Sequence, residues 1–272
     1  MIKITKITTQ KKNKQRYNIY IDEGNGEQYG FSVSEDLLIK HMLRKGMELD
    51  QATVQALQKE DDVNKYYSAT INFLSYRMRS EKEIRSYLVK KEAEPPQIDQ
   101  VVEKLKTEGY LDDLEFARAY VKTRINTSSK GPQIIKKELF DKGVNKQNIE
   151  EALHLYNHSL QFDKALKVAE KKVSSNGQKS QKQLLLSLQN FLMQKGFNGE
   201  VIQSVLEEIK EHHMSNDMDI QAIQRQGDKL VMKYERKFSG FQLKQKVKEG
   251  LYRKGFSMEL IDQYLQNSIE DE

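Results

Sequence analysis

His154 and His158 stand four residues apart with Glu151 on the same helical face, the closest this 272-residue sequence comes to a metal site. A structural or catalytic zinc needs three or four convergent ligands. Here Leu153 and Leu155 flank the pair and no further ligand is evident, so the reading is a solvated helix face. His212 and His213 are adjacent, point apart on a helix, and read as linker. The acidic pairs Asp61-Asp62 and Asp112-Asp113 suit helix starts, where carboxylates meet the positive end of the dipole. Gly24, Gly26 and Gly30 run into apparent strand rather than into a helix, so they read as a hairpin turn and not as a phosphate cradle. No G-x-x-x-x-G-K-[ST] run is present, and no Ser, His and Asp set is tied to a turn that would expose a nucleophile. The absence of cysteine excludes disulfides, thiolate chemistry, Fe–S clusters and cysteine-bound zinc. The expectation is a protein without catalysis, metal or cofactor.

Charge is more informative. The net charge is +5, yet it is unevenly placed. Residues 77–91 hold six basic against two acidic side chains, 115–142 seven against three, 164–195 seven against one, and 229–254 nine against two. These windows total +21, which leaves −16 for the rest of the chain. Much of the acid falls on later helices, at Glu150, Glu151, Glu200, Glu207, Glu208 and Glu211. The basic positions singled out for an anionic partner are Arg77, Arg79, Arg85, Lys122, Arg124, Lys136, Lys137, Lys233, Lys244 and Lys248. Two readings stand side by side: a basic ribbon for an anionic polymer or acidic partner, and a solvated surface laced with salt bridges. Tyr76, Tyr87, Tyr110 and Tyr120 have the chemistry to stack on bases, although tyrosine at helical spacing usually belongs to a core.

The elements that must position these groups are mostly helical. Only 3 Pro and 14 Gly interrupt the chain, far fewer turn residues than a sandwich or barrel of this length needs. The longest apolar runs, such as 184–186, are too short to cross a membrane, and the first residues lack the apolar stretch of a signal peptide. A cytoplasmic, monomeric protein is expected. Strand is expected only in residues 1–33, where Ile2, Ile4 and Ile7 and then Tyr17, Ile19 and Ile21 fall near period two. Ser32 with Glu35 forms a capping-box pattern for a helix ended by Gly46, and Asp50 caps a second short helix through Val54 and Leu57.

Beyond residue 65 the chain repeats itself. Lys142-Gly143, Lys195-Gly196 and Lys254-Gly255 each end one helix shortly before another begins, and Glu92 occupies the same slot in an earlier copy. Eight residues before each slot stand Ile84, Ile135, Leu188 and Val247; four before it stand Leu88, Leu139, Leu192 and Leu251. Six after it stand Ile98, Ile149, Ile202 and Ile261, and ten after it Val102, Leu153, Leu206 and Leu265. Each pair of offsets puts two apolar side chains on one helix face. Further helices precede each pair at 66–77, 113–125, 161–174 and 218–236. Ser80, Ser180 and Ser239 start the middle helices of units one, three and four, and Gly131-Pro132 starts that of unit two. The fold expected is mainly α: four tandem three-helix repeats in an elongated array behind a small N-terminal β-meander with two helices. The boundaries are 1–63 for the N-terminal part and 64–111, 112–158, 159–215 and 216–272 for the repeats. Units one and two are more alike, as are three and four.

Units one and two together resemble the RecX family of bacterial recombination regulators. The matching positions include Ala69, Phe73-Leu74, Arg77, Arg79-Ser80, Glu83-Ile84 and Leu88. The most specific stretch is Gly109-Tyr110-Leu111-Asp112-Asp113 with Phe116-Ala117, followed by Tyr120, Arg124 and Gly131-Pro132. Units three and four match in architecture and in the Lys-Gly-Phe joint, and the N-terminal segment and fourth unit resemble the longer form found in Gram-positive bacteria. The sequence departs from the pattern at 91–96, where Glu92 replaces the glycine joint. The resemblance implies a non-enzymatic, cytoplasmic protein of DNA repair and the SOS response. It would bind the RecA recombinase filament on single- and double-stranded DNA, and inhibit its ATPase and strand exchange. It supplies no agreed functional residues, so the ten basic positions rest on charge alone. The rival readings are a stand-alone DNA-binding protein and a helical-repeat adaptor for some other protein.

Overall fold

The computed structural model describes residues 1–174, 179–213 and 216–268. The boundary expected between the third and fourth repeats falls at 215, outside the described residues. The chain divides into two compact units, Met1–Phe116 with Lys142–Val144, and Ala117–Asp141 with Asn145–Glu272.

The first unit opens on strands β1 (Ile2–Thr9), β2 (Arg16–Asp22) and β3 (Glu27–Ser34), an antiparallel meander. A register shift between Ile4 and Lys6 explains why Ile7 falls out of strict alternation. The Gly24/Gly26 turn is a hairpin turn, with the Asp22 carboxylate accepting hydrogen bonds from both glycine amides. Helix α1 (Glu35–Lys40) follows, and its N-cap is Ser34 rather than the expected Ser32, which pairs with Asn18 inside β3. Strand β4 (Glu48–Leu49), absent from the sequence expectation, pairs with β1 and completes the order β3-β2-β1-β4.

Helix α2 (Gln51–Ser75) is one uninterrupted helix of 25 residues. The short helix expected after Asp50 and the first helix of repeat one are therefore the same helix. Asp50 does cap it, accepting from the Thr53 amide at 2.7 Å. Asp61 is not at a helix start but mid-helix and buried, where Arg16 grips it through two nitrogens at 2.6 and 3.2 Å. The Ser34 amide donates to the same carboxylate, so one buried acid ties β2 and the α1 cap to α2. Helices α3 (Glu81–Lys90) and α4 (Pro95–Thr107) complete the first three-helix repeat.

Helix α5 (Asp113–Thr127) leads into α6 (Pro132–Asp141) and α7 (Lys146–Leu153). Then come α8 (His158–Ser174), α9 (Gln181–Gln194) and α10 (Gly199–His213), followed by α11 (Asn216–Tyr234), α12 (Gly240–Arg253) and α13 (Met258–Ser268). The repeat arithmetic is realised in burial. All eight side chains at the −8 and −4 offsets are fully buried, and the four isoleucines at +6 are buried as well. His154 caps the end of α7 while His158 opens α8, so the two histidines do not share a helix face. His212 and His213 belong to α10 and not to a linker.

The three glycine joints share φ 83° and stand just past their helix ends, as does Glu92 at φ 64°. At Gly196 the pattern is a Schellman closure, with the Gly196 amide on the Met193 carbonyl and the Phe197 amide on that of Leu192. Conformation is only half of the requirement. The Lys195 carbonyl accepts from the Gly131 amide at 2.6 Å and the Gly196 carbonyl from the Gln133 amide at 3.0 Å, so the joint docks on the start of α6. A Cβ at Gly196 would stand 2.9 Å from the Ile134 nitrogen, and one at Gly131 would collide with the Gly196 carbonyl. The same docking recurs with serine: Ser80 Oγ donates to the Lys142 carbonyl at 2.7 Å, and Ser180 Oγ to that of Lys254 at 2.5 Å. Ser239 is the N-cap of α12 by position but makes no side-chain cap bond.

Glu92, exposed, bears the conformational strain without the close approach. A left-handed L-residue costs roughly 1–2 kcal/mol, against about 0.5–1 kcal/mol for the flexibility of glycine. Glu92→Gly is therefore expected to raise the denaturant midpoint by a net of up to about 1 kcal/mol. Gly196→Ala is expected to lower it by more than the ~1–2 kcal/mol of conformational strain alone, since backbone must also move. Midpoints that shift in the same direction for both variants would refute this division.

Candidate anionic-partner interface

Helix α3 begins at a knot of charge. Ser80 accepts from the Glu83 amide while the Glu83 carboxylate accepts from the Ser80 amide, a full capping box. Arg77 reaches Glu83 through both terminal nitrogens, at 3.0 and 3.2 Å, and Lys142 Nζ lies 3.0 Å from the same carboxylate. Partial burial alone would raise the Glu83 carboxyl, but hydrogen bonds from Arg77, Lys142 and the Ser80 amide carry it down to about 2. The first backbone amide of α3, on Glu81, donates to Asp113 at 2.8 Å. Asp112 caps α5 as expected, whereas Asp113 reaches across to cap α3. Burial, the larger influence, raises the Asp113 carboxyl.

The other candidate cations separate into groups. Arg79 has no ion-pair partner among the described residues; its guanidinium lies 3.9 Å over the Phe73 ring, which stacks on Tyr87 at 4.2 Å. Arg85 bridges Glu81 and Asp99, both at 2.7 Å. Arg124 donates to the Tyr120 hydroxyl at 2.6 Å and pairs with Glu138, which also holds Lys130. Lys136 faces Glu150 at 3.8 Å, and Lys248 pairs with Asp262 at 2.6 Å. Lys244 is half-buried. Lys122, Lys137 and Lys233 are exposed, with Lys233 5.2 Å from the Tyr234 ring centre. Of the tyrosines, Tyr87 and Tyr120 serve internal packing and hydrogen bonds, while Tyr76 and Tyr110 are exposed. Arg77, Arg85, Arg124, Lys136 and Lys248 thus spend at least part of their charge on neighbouring carboxylates.

Window 164–195, the most lopsided of the first three, contributed none of the ten chosen residues, and the structure places lysines there along a groove. Lys164, Lys167 and Lys171 follow one another along α8 and line it together. Their i, i+3, i+7 spacing is the signal by which sequence alone would find them. Among the described residues no group of three or more His, Cys, Asp and Glu is placed to hold a metal ion, and no helix is long and apolar enough to cross a membrane.

Family models match nearly the whole chain: the RecX N-terminal domain at residues 2–50, the first three-helix domain at 67–105 and the second at 112–153. The model of the third three-helix domain matches twice, at 160–206 and 217–265. The chain belongs to the RecX family. It is 46% identical to the regulatory protein RecX of Oceanobacillus iheyensis and 42% identical to that of Bacillus cytotoxicus, each over the full length of both chains. A crystal structure of regulatory protein RecX aligns with TM-score 0.69 and 34% identity, covering 76% of this chain and all of that one. The structure of RecX from Lactobacillus salivarius aligns at 0.55 with 33% identity, covering 56% of this chain and 99% of its own. The double match of one RecX model agrees with the closer likeness of repeats three and four.

The depressed Glu83 carboxyl has a consequence for acid stability. Its folded-state value lies below the ordinary one, so its contribution is complete above about 4.5 and is lost as pH falls towards about 2. Glu83→Gln, which cannot titrate, should lower stability at neutral pH and flatten its loss across that window. Denaturant midpoints of both proteins from pH 6 to pH 2 read the difference. Parallel curves would mean that Arg77 and Lys142 do not hold the charged form.

Proposed function

We propose that this RecX-family chain binds the RecA–DNA filament and restrains its ATPase and strand exchange, without chemistry of its own, as a cytoplasmic monomer in DNA repair and the SOS response. The observation that carries the reading is the full-length likeness to chains named regulatory protein RecX. Repeats joined at one recurrent backbone contact support it, because equivalent surfaces are presented again and again, as suits a partner that is itself a repeating polymer. Lys122, Lys137 and Lys233 are exposed members of the proposed basic face, and they suit phosphates or acidic filament surfaces.

The test is RecA ATPase on single-stranded DNA, titrated with the intact protein. Suppression at amounts well below those that coat the DNA is expected, with no nucleotide hydrolysis by the protein itself. RecA activity unchanged at equimolar protein would overturn the reading, and equal inhibition of an unrelated enzyme on the same DNA would favour simple coating. Reversal of Lys122, Lys137 and Lys233 to Glu should flatten the log–log salt dependence of duplex binding by roughly 0.9 for each phosphate no longer neutralised. Folding should change little, since surface substitutions usually stay within about 0.5 kcal/mol. Glu207→Lys with Glu208→Lys on α10 should leave DNA binding intact or strengthen it. Equal slopes for wild type and the basic triple would assign these lysines to solvated surface.

A further inference from the structure

Within the second unit, α8 faces the segment 126–129 across a groove of about 950 Å³. Lys164, Lys167 and Lys171 form one wall, Thr127, Ser128 and Ser129 belong to the other, and Leu160, Val168 and Phe191 supply apolar lining. Lys172 Nζ lies 4.0 Å and Lys195 Nζ 5.5 Å from the Phe191 ring centre, so the ring brings two more cations to the rim. Asp163 is the one carboxylate among the lining residues.

The lysines have different duties. Lys164 donates to the Ile125 carbonyl and, at 2.8 Å, to that of Ser128, so it closes the carbonyl-rich end of α5. Burial, with the neighbouring charge of Lys167, makes its ammonium easier to deprotonate. Lys167 and Lys171 are exposed, lie one turn apart, and have no ion-pair partner among the described residues. Like charges gathered along an apolar lining repel one another until an anion enters.

We propose that this groove holds single-stranded nucleic acid, with phosphates on Lys167 and Lys171 and a base laid against Leu160, Val168 and Phe191. The proposal rests on the nucleic-acid part of the function above and adds a place for it, outside the ten positions chosen by charge. The combination of a lysine wall and an apolar lining selects the occupant. A single strand brings anions and flat apolar faces together. A duplex keeps its bases stacked inside, and an acidic polypeptide brings carboxylates without rings.

The experiment measures anisotropy of labelled oligothymidylate, an abasic strand of equal length and poly-L-glutamate with the intact protein over a series of salt concentrations. Lys167→Glu with Lys171→Glu is compared with Lys59→Glu plus Lys210→Glu, exposed lysines outside the groove that carry the same change of charge. The groove double should weaken oligothymidylate binding and flatten its log–log salt slope by about 1.4, two phosphates at about 0.7 each for a single strand. The control double should keep the wild-type slope, and wild type should bind oligothymidylate more tightly than the abasic strand. Equal slopes for the two doubles, equal binding of the abasic strand, or an equal loss of poly-L-glutamate binding would overturn the proposal. RecA ATPase separates the two readings. Suppression by wild type with no groove-dependent slope sinks the groove alone, and a groove-dependent slope with RecA untouched sinks the regulatory function alone.

Discussion

A helix start has spare amide donors and a helix end has spare carbonyl acceptors. The repeats of this chain are joined by putting one against the other. In the second unit the end of α9 meets the start of α6, and the end of α12 meets the start of α9. In the first unit the Lys142 carbonyl meets Ser80 at the start of α3 in the same manner. The opposed dipole ends attract, and polar groups that would otherwise lie buried and unsatisfied are paired, which avoids a cost of about 1–3 kcal/mol for each. Ser80 and Ser180 are buried because each hydroxyl works twice, accepting from its own helix and donating to the next joint. The left-handed turn ends each helix, and the contact adds a demand for space: a Cβ would meet the Ile134 backbone at Gly196, the Lys82 side chain at Gly143 and the Ser180 hydroxyl at Gly255.

The same economy explains why a count of charges overstates the basic surface. Carboxylates lie within reach of cations from their own repeat or the next, so Glu83 takes up Arg77 and Lys142, and Glu138 takes up Arg124 and Lys130. Such pairs fix side chains more than they stabilise, being partly exposed. What is left to meet a partner is set by which lysines lack a carboxylate one helical turn away or on the facing helix. Lys171 meets that condition along α8, with Lys167 and Val168 a turn before it and Ser174 a turn after, whereas Lys167 has Asp163 and Glu170 within a turn yet makes no ion pair among the described residues.

Much of the fold was legible because the repeat offsets are core positions, and a buried leucine or isoleucine tolerates little change. The uninterrupted α2 was not legible as one helix. Asp50 marks its start, yet 51–75 contains neither Gly nor Pro, and the polar stretch around Asp61 looks like an interruption until Arg16 is seen to bury it. The histidine pair failed in the opposite way. Helix α7 stops at Leu153 without a glycine, and the readable signal was Asn157, whose side chain caps the next helix at the Leu160 amide. The candidate interface was legible as a density of charge only. Partners such as Glu81 for Arg85 share a helix and are visible as spacing, but Asp99 and Asp262 come from other helices and need the fold.

One requirement met in two ways shows why repeats of this kind preserve physics more visibly than residues. The first amides of α3 and α9 find an acceptor in the following repeat. In repeat one Asp113 provides it for Glu81, and in repeat three Asp219 provides it for Gln181, both at 2.8 Å. Repeat two has no aspartate in that role because Pro132 occupies the position and has no amide to satisfy. Gly131 beside it replaces the serine hydroxyl with a backbone amide, and so the joint comes close enough to forbid any side chain there. The Ser-Glu, Gly-Pro and Ser-Gln starts look unrelated as letters. As donors and acceptors they solve the same problem, and each meets the same Lys-Gly joint, at Lys142, Lys195 or Lys254.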